Sequence, residues 1–172
     1  THLLRSELLS RGQSLSDVTA LLARRSGIEH TIIPMTDDHV STRVCTAAGD
    51  LEFQHYFVRE QCQPAISNYY FEGIDAARPQ AQFLRQLRSQ QLDSIIICPS
   101  NPFLSIEPVL RLPGVRDAMI ANKAPVIAIS PIVAGMALKG PTAKMMQELG
   151  MPATALAVAE FYGDLLDGMV ID

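Results

Sequence analysis

Two runs constrain the fold more than anything else in the chain: Ser94-Ile95-Ile96-Ile97-Cys98 and Val126-Ile127-Ala128-Ile129. Both are apolar without alternation, and both are bounded by Pro, Ser and Asp. A strand of that kind suits a sheet buried on both faces, the environment of parallel strands joined by helical crossovers. The residues between and around them fit those crossovers. Helical patterns cover 81–91, 114–122, 143–149 and 154–166, and a last strand is expected at 169–171. The rhythm of helix and strand from Pro79 onward predicts an α/β fold: a Rossmann-like layered αβα domain with a mainly parallel sheet. The first half reads differently. Helices are expected over 3–9 and up to Arg25, the latter capped by Ser16 or Asp17 and stopped by Gly27. A short strand is expected at 31–35, cut by Pro34. A hairpin-like pair over 43–57, turning at Ala48-Gly49-Asp50, and a strand at 66–71 add a small antiparallel insertion.

A chain of 172 residues with 48% apolar and 19% charged side chains holds a single domain with a real core. The net charge of −4 argues against a general nucleic-acid binder. No apolar run reaches the ~20 residues of a membrane helix. Cys45, Cys62 and Cys98 are scattered and odd in number, which points to a reducing, cytoplasmic setting rather than a disulfide framework. Charge is uneven: residues 79–146 hold seven basic and three acidic side chains. A basic middle in an acidic protein is suited to a phosphorylated small molecule, although surface composition alone explains it too.

In open α/β sheets ligands sit beyond the carboxyl ends of the strands. The loop after the first run is Pro99-Ser100-Asn101-Pro102-Phe103-Leu104-Ser105; the loop after the second runs from Ser130-Pro131-Ile132 to Lys139-Gly140-Pro141. Hydroxyls, backbone N–H groups and the Lys139 ammonium in such loops suit an anion such as phosphate. The alternative is that Ser and Asn cap the next helix while Pro and Gly turn the chain. Gly135 to Thr142 nearly spells a phosphate-binding P-loop, but Pro141 stands where the lysine belongs and offers no N–H. A second constellation is Pro34-Met35-Thr36-Asp37-Asp38-His39. Paired carboxylates such as Asp37 and Asp38 can hold Mg²⁺ through oxygen ligands; capping by Thr36 and Asp37 is the other reading. The four histidines have no zinc spacing.

Leu15-Ser-Asp-Val-Thr19, Pro34-Met-Thr-Asp-Asp38 with Val40 and Thr42, Phe53-Gln54, Pro99-Ser-Asn-Pro102 with Ser105-Ile106, Leu112-Pro-Gly114, Ser130-Pro-Ile132, Gly140-Pro141 with Lys144, and Leu166-Asp167 occur in order. Over this whole span the chain resembles the 2-phospho-L-lactate transferase family of coenzyme F-420 biosynthesis, CofD in archaea and FbiA in actinobacteria. The resemblance implies transfer of a 2-phospholactyl or phosphoenolpyruvyl group from a guanosine-diphosphate-activated donor to the deazaflavin Fo, with release of GMP and help from Mg²⁺. It implies a cytoplasmic homodimer. It places Ser100, Asn101, Pro102, Ser105, Ser130, Ile132, Lys139 and Gly140 around the nucleotide and its phosphates. Met35, Thr36, Asp37 and Asp38 would lie by the deazaflavin, with Asp37 and Asp38 near the metal. The family's upstream Gly-rich turn and acidic segment do not occur here, nor does its C-terminal continuation, so the expectation is an internal fragment of a larger chain, with the main catalytic acids elsewhere. Glu107 and Ala134 stand where the family commonly has glycine. A related group, the YvcK-type gluconeogenesis factors, shares the Pro-Met-Thr-Asp-Asp stretch and supplies the alternative of a nucleotide-sugar-binding regulator; its Gly-Pro-Gly-Ser differs from Pro99-Ser-Asn-Pro102, and it lacks the Leu138-Lys-Gly-Pro141 element.

Overall fold

The structure is a computed structural model that describes residues 2–134, 136–137 and 141–172. It opens with α1 (His2–Ser10) and α2 (Leu15–Arg25). Ser14, two residues before the expected cap, starts α2: its hydroxyl accepts from the Asp17 N–H at 3.1 Å. Gly27, at φ +70°, ends it.

The strand expected at 31–35 does not form. A strand needs a neighbour to satisfy its backbone, and Pro34 offers no N–H to pair. Ile32 is 47% exposed. The stretch is instead tied across to residues 78–80: Gln80 N–H donates to the Met35 carbonyl (2.8 Å), and Thr36 Oγ1 donates to the Arg78 carbonyl (2.7 Å).

The antiparallel insertion consists of β1 (Ser41–Thr46), β2 (Gly49–Glu52) and β3 (Ile66–Glu72), ordered β2-β1-β3. The hairpin turns at Ala47-Ala48, one residue earlier than expected, where Thr46 Oγ1 donates to the Gly49 carbonyl and accepts from the Ala48 N–H. The second arm stops at Glu52. Beyond it, His55–Arg59 winds into a π-helical turn that drives Tyr56 into the core with no solvent exposure.

The second half follows the expected alternation, with a short helix at Glu107–Arg111 and a short strand pair at Ile132–Val133 and Met136–Ala137 added to it. Its elements are α3 (Ala81–Arg88), β4 (Ile95–Ile97), α4 (Glu107–Arg111) entered through a π-helical turn at Pro102–Ile106, α5 (Val115–Ile120), β5 (Val126–Ile129), the two-residue pair β6 (Ile132–Val133) and β7 (Met136–Ala137), α6 (Thr142–Glu148), α7 (Ala155–Tyr162) and β8 (Gly168–Val170). β4, β5 and β8 form a parallel sheet in that order, with Ile97 beside Ala128 and Ile129 beside Val170. Asp167 fastens the amino end of β5: its carboxylate accepts from the Val126 N–H at 2.8 Å while its own N–H donates to the Val126 carbonyl at 2.9 Å.

Ile97, Val126 and Ala128 point into one core with Leu87, Phe103, Val115, Met145 and Val158 from the helical segments. On the other face Ile96 and Val170 remain 50% and 53% exposed.

Gly73 follows β3 at φ +85°, and a Cβ there would sit 2.5 Å from the His39 carbonyl oxygen. The left-handed backbone and the close approach both require glycine. Gly73→Ala should cost about 3 kcal/mol, read as a drop in melting temperature on the order of 10 °C. A shift no larger than that of Gly12→Ala, where a Cβ meets nothing within 4 Å, would show that the approach is not rigid.

Candidate functional site

Because β4 and β5 are neighbours and parallel, their carboxyl ends open side by side. The loops that follow both line one cavity of about 880 Å³. Pro99, Ser100, Asn101, Leu104 and Ser105 form one wall, and Pro131, Pro141 and Thr142 form a second. The insertion supplies the third wall: Val40, Ser41 and Thr42 at the start of β1, then Glu52, Phe53, Gln54 and Phe57 after the hairpin.

The expected site residues divide by what their side chains already do. Asn101 caps the Pro102–Ile106 turn, its Oδ1 accepting from Phe103 and Leu104 N–H, both at 3.0 Å. Its Nδ2 leans on the Met145 sulfur at 3.5 Å. Capping thus holds for this residue, and it still lines the cavity. Pro102 is buried beneath it. Ser130 is buried and closes its own turn, donating to the Ile132 carbonyl (2.8 Å) and accepting from the Ile132 N–H (3.0 Å). Its hydroxyl shapes the second loop and is committed there; Ile132 is packed into the core. Ser100 and Ser105 differ. Among the described residues neither hydroxyl has a hydrogen-bond partner, and both line the cavity. Lys139 and Gly140 lie outside the described residues.

Met35, Thr36, Asp37 and Asp38 do not line the cavity; they form the strap that enters β1. Thr36 is buried, bonded to the Arg78 carbonyl and to the Asp38 N–H. The Asp37 carboxylate accepts from the Ser16 N–H (2.7 Å) and the Ser16 hydroxyl (2.8 Å) and so holds the first turn of α2. Asp38 accepts from the Arg78 N–H (2.8 Å) and guanidinium (both contacts 3.3 Å). Hydrogen bonding from Arg78 holds the Asp38 carboxyl below its ordinary value of 3.8. The two carboxylates thus face different partners with all four oxygens engaged, an arrangement that does not fit a shared Mg²⁺. Among the described residues there is no group of three or more His, Cys, Asp or Glu side chains placed to hold a metal ion.

The wall made by the insertion was not read as a site from the sequence. Val40, Thr42, Phe53 and Gln54 entered only as carriers of the resemblance, and nothing in their spacing brings them to the strand ends. Glu52 is the one charged side chain among the described lining residues, with the Arg43 guanidinium 3.6 Å away.

The sequence profile of the family "2-phospho-L-lactate transferase CofD" matches residues 1–172. The chain belongs to the CofD family. It is 38% identical over 172 residues to the 2-phospho-L-lactate transferase of Methanosarcina acetivorans, covering all of this chain and 55% of that protein. It is 39% identical over 177 residues to the phosphoenolpyruvate transferase of Kitasatospora aureofaciens, covering 54% of that protein. The chain therefore spans about half the length of the curated relatives it matches. In fold it is similar to a UPF0052-family protein from Bacillus halodurans, with a TM-score of 0.64 and 14% identity over 98% of this chain and 51% of the other. Among the described residues no helix is long and apolar enough to cross a membrane.

At one of the two positions where CofD-family glycine was expected, the backbone retains the glycine geometry. Ala134 sits at φ +48°, its N–H held by the Asp172 carboxylate at 2.8 Å. Ala134→Gly should relieve the left-handed strain and raise stability by about 0.5–1 kcal/mol, seen as a higher urea midpoint at unchanged slope; a lower midpoint would refute the strain. Glu107 is instead built in, buried and bonded to the Tyr69 hydroxyl and the Arg111 guanidinium.

The Asp38 carboxyl is more acidic folded than unfolded, so its stabilising effect is complete above 3.8 and is lost as pH falls through the lower folded value. Plotted against pH, the urea midpoints of the wild type and Asp38→Asn should be separated at neutral pH and converge at the acid end. A constant gap would contradict the ion pair.

Proposed function

We propose that the full-length protein transfers a 2-phospholactyl or phosphoenolpyruvyl group from a guanosine-diphosphate-activated donor to the deazaflavin Fo, and that the cavity at the ends of β4 and β5 holds the donor. The observation that carries this reading is the convergence of two strand-end loops on one cavity, with the Ser100 and Ser105 hydroxyls open to a ligand among the described residues. The names of the family and of its curated relatives support the type of transfer.

In the reaction the acceptor's alcohol oxygen attacks the phosphorus that bears the lactyl or enolpyruvyl group. The bond from that phosphorus to the bridging oxygen breaks. GMP leaves with the bridging oxygen, and the alcohol proton is released. Such a displacement depends on holding the diphosphate in line with the attacking oxygen and on placing donors where charge accumulates. Ser100 and Ser105 are donors of that kind, set on a loop stiffened by Pro99, Pro102 and the Asn101 cap. The Ser130 turn fixes the shape of the second loop. The strap at 35–38 acts at one remove: it ties α2 and residues 78–80 to the entry of β1, whose Val40, Ser41 and Thr42 reach the cavity. No step is assigned to magnesium on Asp37 and Asp38, whose oxygens are engaged. The alternative of a nucleotide-sugar regulator finds no support in the relatives' names, and the Bacillus halodurans neighbour speaks to fold alone.

Calorimetry on the full-length protein should show GDP binding, and Ser100→Ala should weaken it about tenfold, the loss of one hydrogen bond to a charged group. Incubation with Fo and the guanylylated phospholactate donor should yield a phosphodiester that keeps deazaflavin absorbance, with one GMP released per product. Unchanged GDP affinity in the variant, or GMP release without the phosphodiester, would overturn the reading.

A further inference from the structure

The third wall of the cavity carries a feature that phosphate binding does not use. Phe53 and Phe57 stack on one another, ring centroids 5.6 Å apart and planes 26° from parallel, and both line the cavity. Phe57 is 43% exposed, a large apolar surface left in water at a cavity mouth. The backbone that presents it is held at some cost. Residues His55–Arg59 form a π-helical turn, a geometry uncommon in proteins and concentrated at functional places. Gln61 and Cys62, which bring the chain back, both sit in the left-handed region at φ +51° and +57°.

What holds the turn is the neighbouring ring. Tyr56 is fully buried, and the Lys144 ammonium of α6 donates to its hydroxyl at 3.2 Å. The same ammonium donates to the Pro64 carbonyl (2.9 Å) and the Glu148 carboxylate (2.6 Å), and Glu148 accepts from the Ile66 N–H at the start of β3 (3.2 Å). One helix therefore opens the second wall with Thr142 and, two residues later, anchors the third with Lys144. With Tyr56 fixed inward, the adjacent Phe57 stays outward at the cavity.

We propose that Phe53 and Phe57 form a platform on which a flat heteroaromatic ring of the bound ligand stacks, in the cavity that Ser100 and Ser105 also line. Stacking on an aromatic face is indifferent to substituents and favours any extended π system. Glu52, next to Phe53, adds a carboxylate acceptor at the same wall, which suits a ring edge bearing N–H groups. The inference rests on the proposed function for the identity of the ligands: the purine of the donor and the three-ring acceptor are the two sources of such a ring.

The test uses the full-length protein with three probes: GDP, Fo and ringless inorganic pyrophosphate. Phe57→Ala should weaken binding of the ring that stacks, GDP or Fo, about tenfold, while pyrophosphate affinity stays the same and circular dichroism and melting are unchanged. Phe57→Trp should restore the affinity. The ligand that responds identifies the ring. If Phe57→Ala leaves GDP and Fo within twofold while Ser100→Ala still weakens GDP, the platform is refuted and the functional reading stands. If pyrophosphate falls together with the ring-bearing ligands, the effect is structural and the platform is likewise refuted. If Fo binding depends on Phe57 but GDP and pyrophosphate do not bind the wild type, the platform stands and the donor site is wrong. Absence of binding by both GDP and Fo to the wild type would overturn both.

Discussion

The site depends on one interaction, the parallel, in-register pairing of β4 with β5. Parallel strands expose their carboxyl ends on the same edge, so whatever follows each strand is delivered to the same place. Pairing of Ile97 with Ala128 sets the Pro99–Ser105 loop beside the Ser130–Ile132 turn with no further specification. The Asp167 clamp on Val126 fixes the opposite end of β5, so the strand has little freedom to slide relative to its neighbours. A one-residue slip would also exchange the buried Ile97, Val126 and Ala128 for the exposed face, which the core opposes.

The antiparallel insertion turns an edge-of-sheet site into a walled one. Its strands do not join the parallel sheet; side chains bind them to the rest of the domain, through Lys144 and Glu148 at the start of β3 and through Tyr69 with Glu107 midway along it. Partial burial works against the charge on Lys144, yet the Glu148 carboxylate and the Tyr56 hydroxyl outweigh it and raise its pKa. Burial likewise raises the Tyr69 pKa, with the Glu107 carboxylate acting in the same direction. Both contacts therefore keep their protons across the neutral range and persist as fixed struts.

How much of this was legible in the sequence follows from the range of the forces involved. The apolar runs at 95–97 and 126–129 announce themselves, because a buried parallel strand must be apolar at every position. Four of the five helices after Pro79 are visible in their periodicity, with ends off by up to four residues; α4 at Glu107–Arg111 is too short to show a period and is not among them. Residues 31–35 have the composition of a strand, but a strand exists only if another backbone pairs with it, and no local pattern records that. The turn at His55–Arg59 was missed for a related reason: its cause is Tyr56 meeting Lys144, a contact across 88 positions. The two strand-end loops were found from their place in the topology, which is why Ser100 and Ser105 could be named. Ser130 and Asn101 were named by the same logic, although their polar atoms close local turns. Asp37 and Asp38 look like a ligand pair in one dimension; in three they point to Ser16 and Arg78. Phe53 and Phe57 gave no sign, since an aromatic pair at that spacing is as easily core as surface.

The three thiols occupy unlike surroundings. Desolvation raises the pKa of Cys45 and of Cys62, both half-buried, so both stay in the poorly nucleophilic protonated form. Cys98 is exposed and stands one residue before the rim at Pro99. An alkylating fluorophore or spin label will therefore attach there in preference to the other two, giving a reporter at the lip of the ligand chamber without any engineered cysteine.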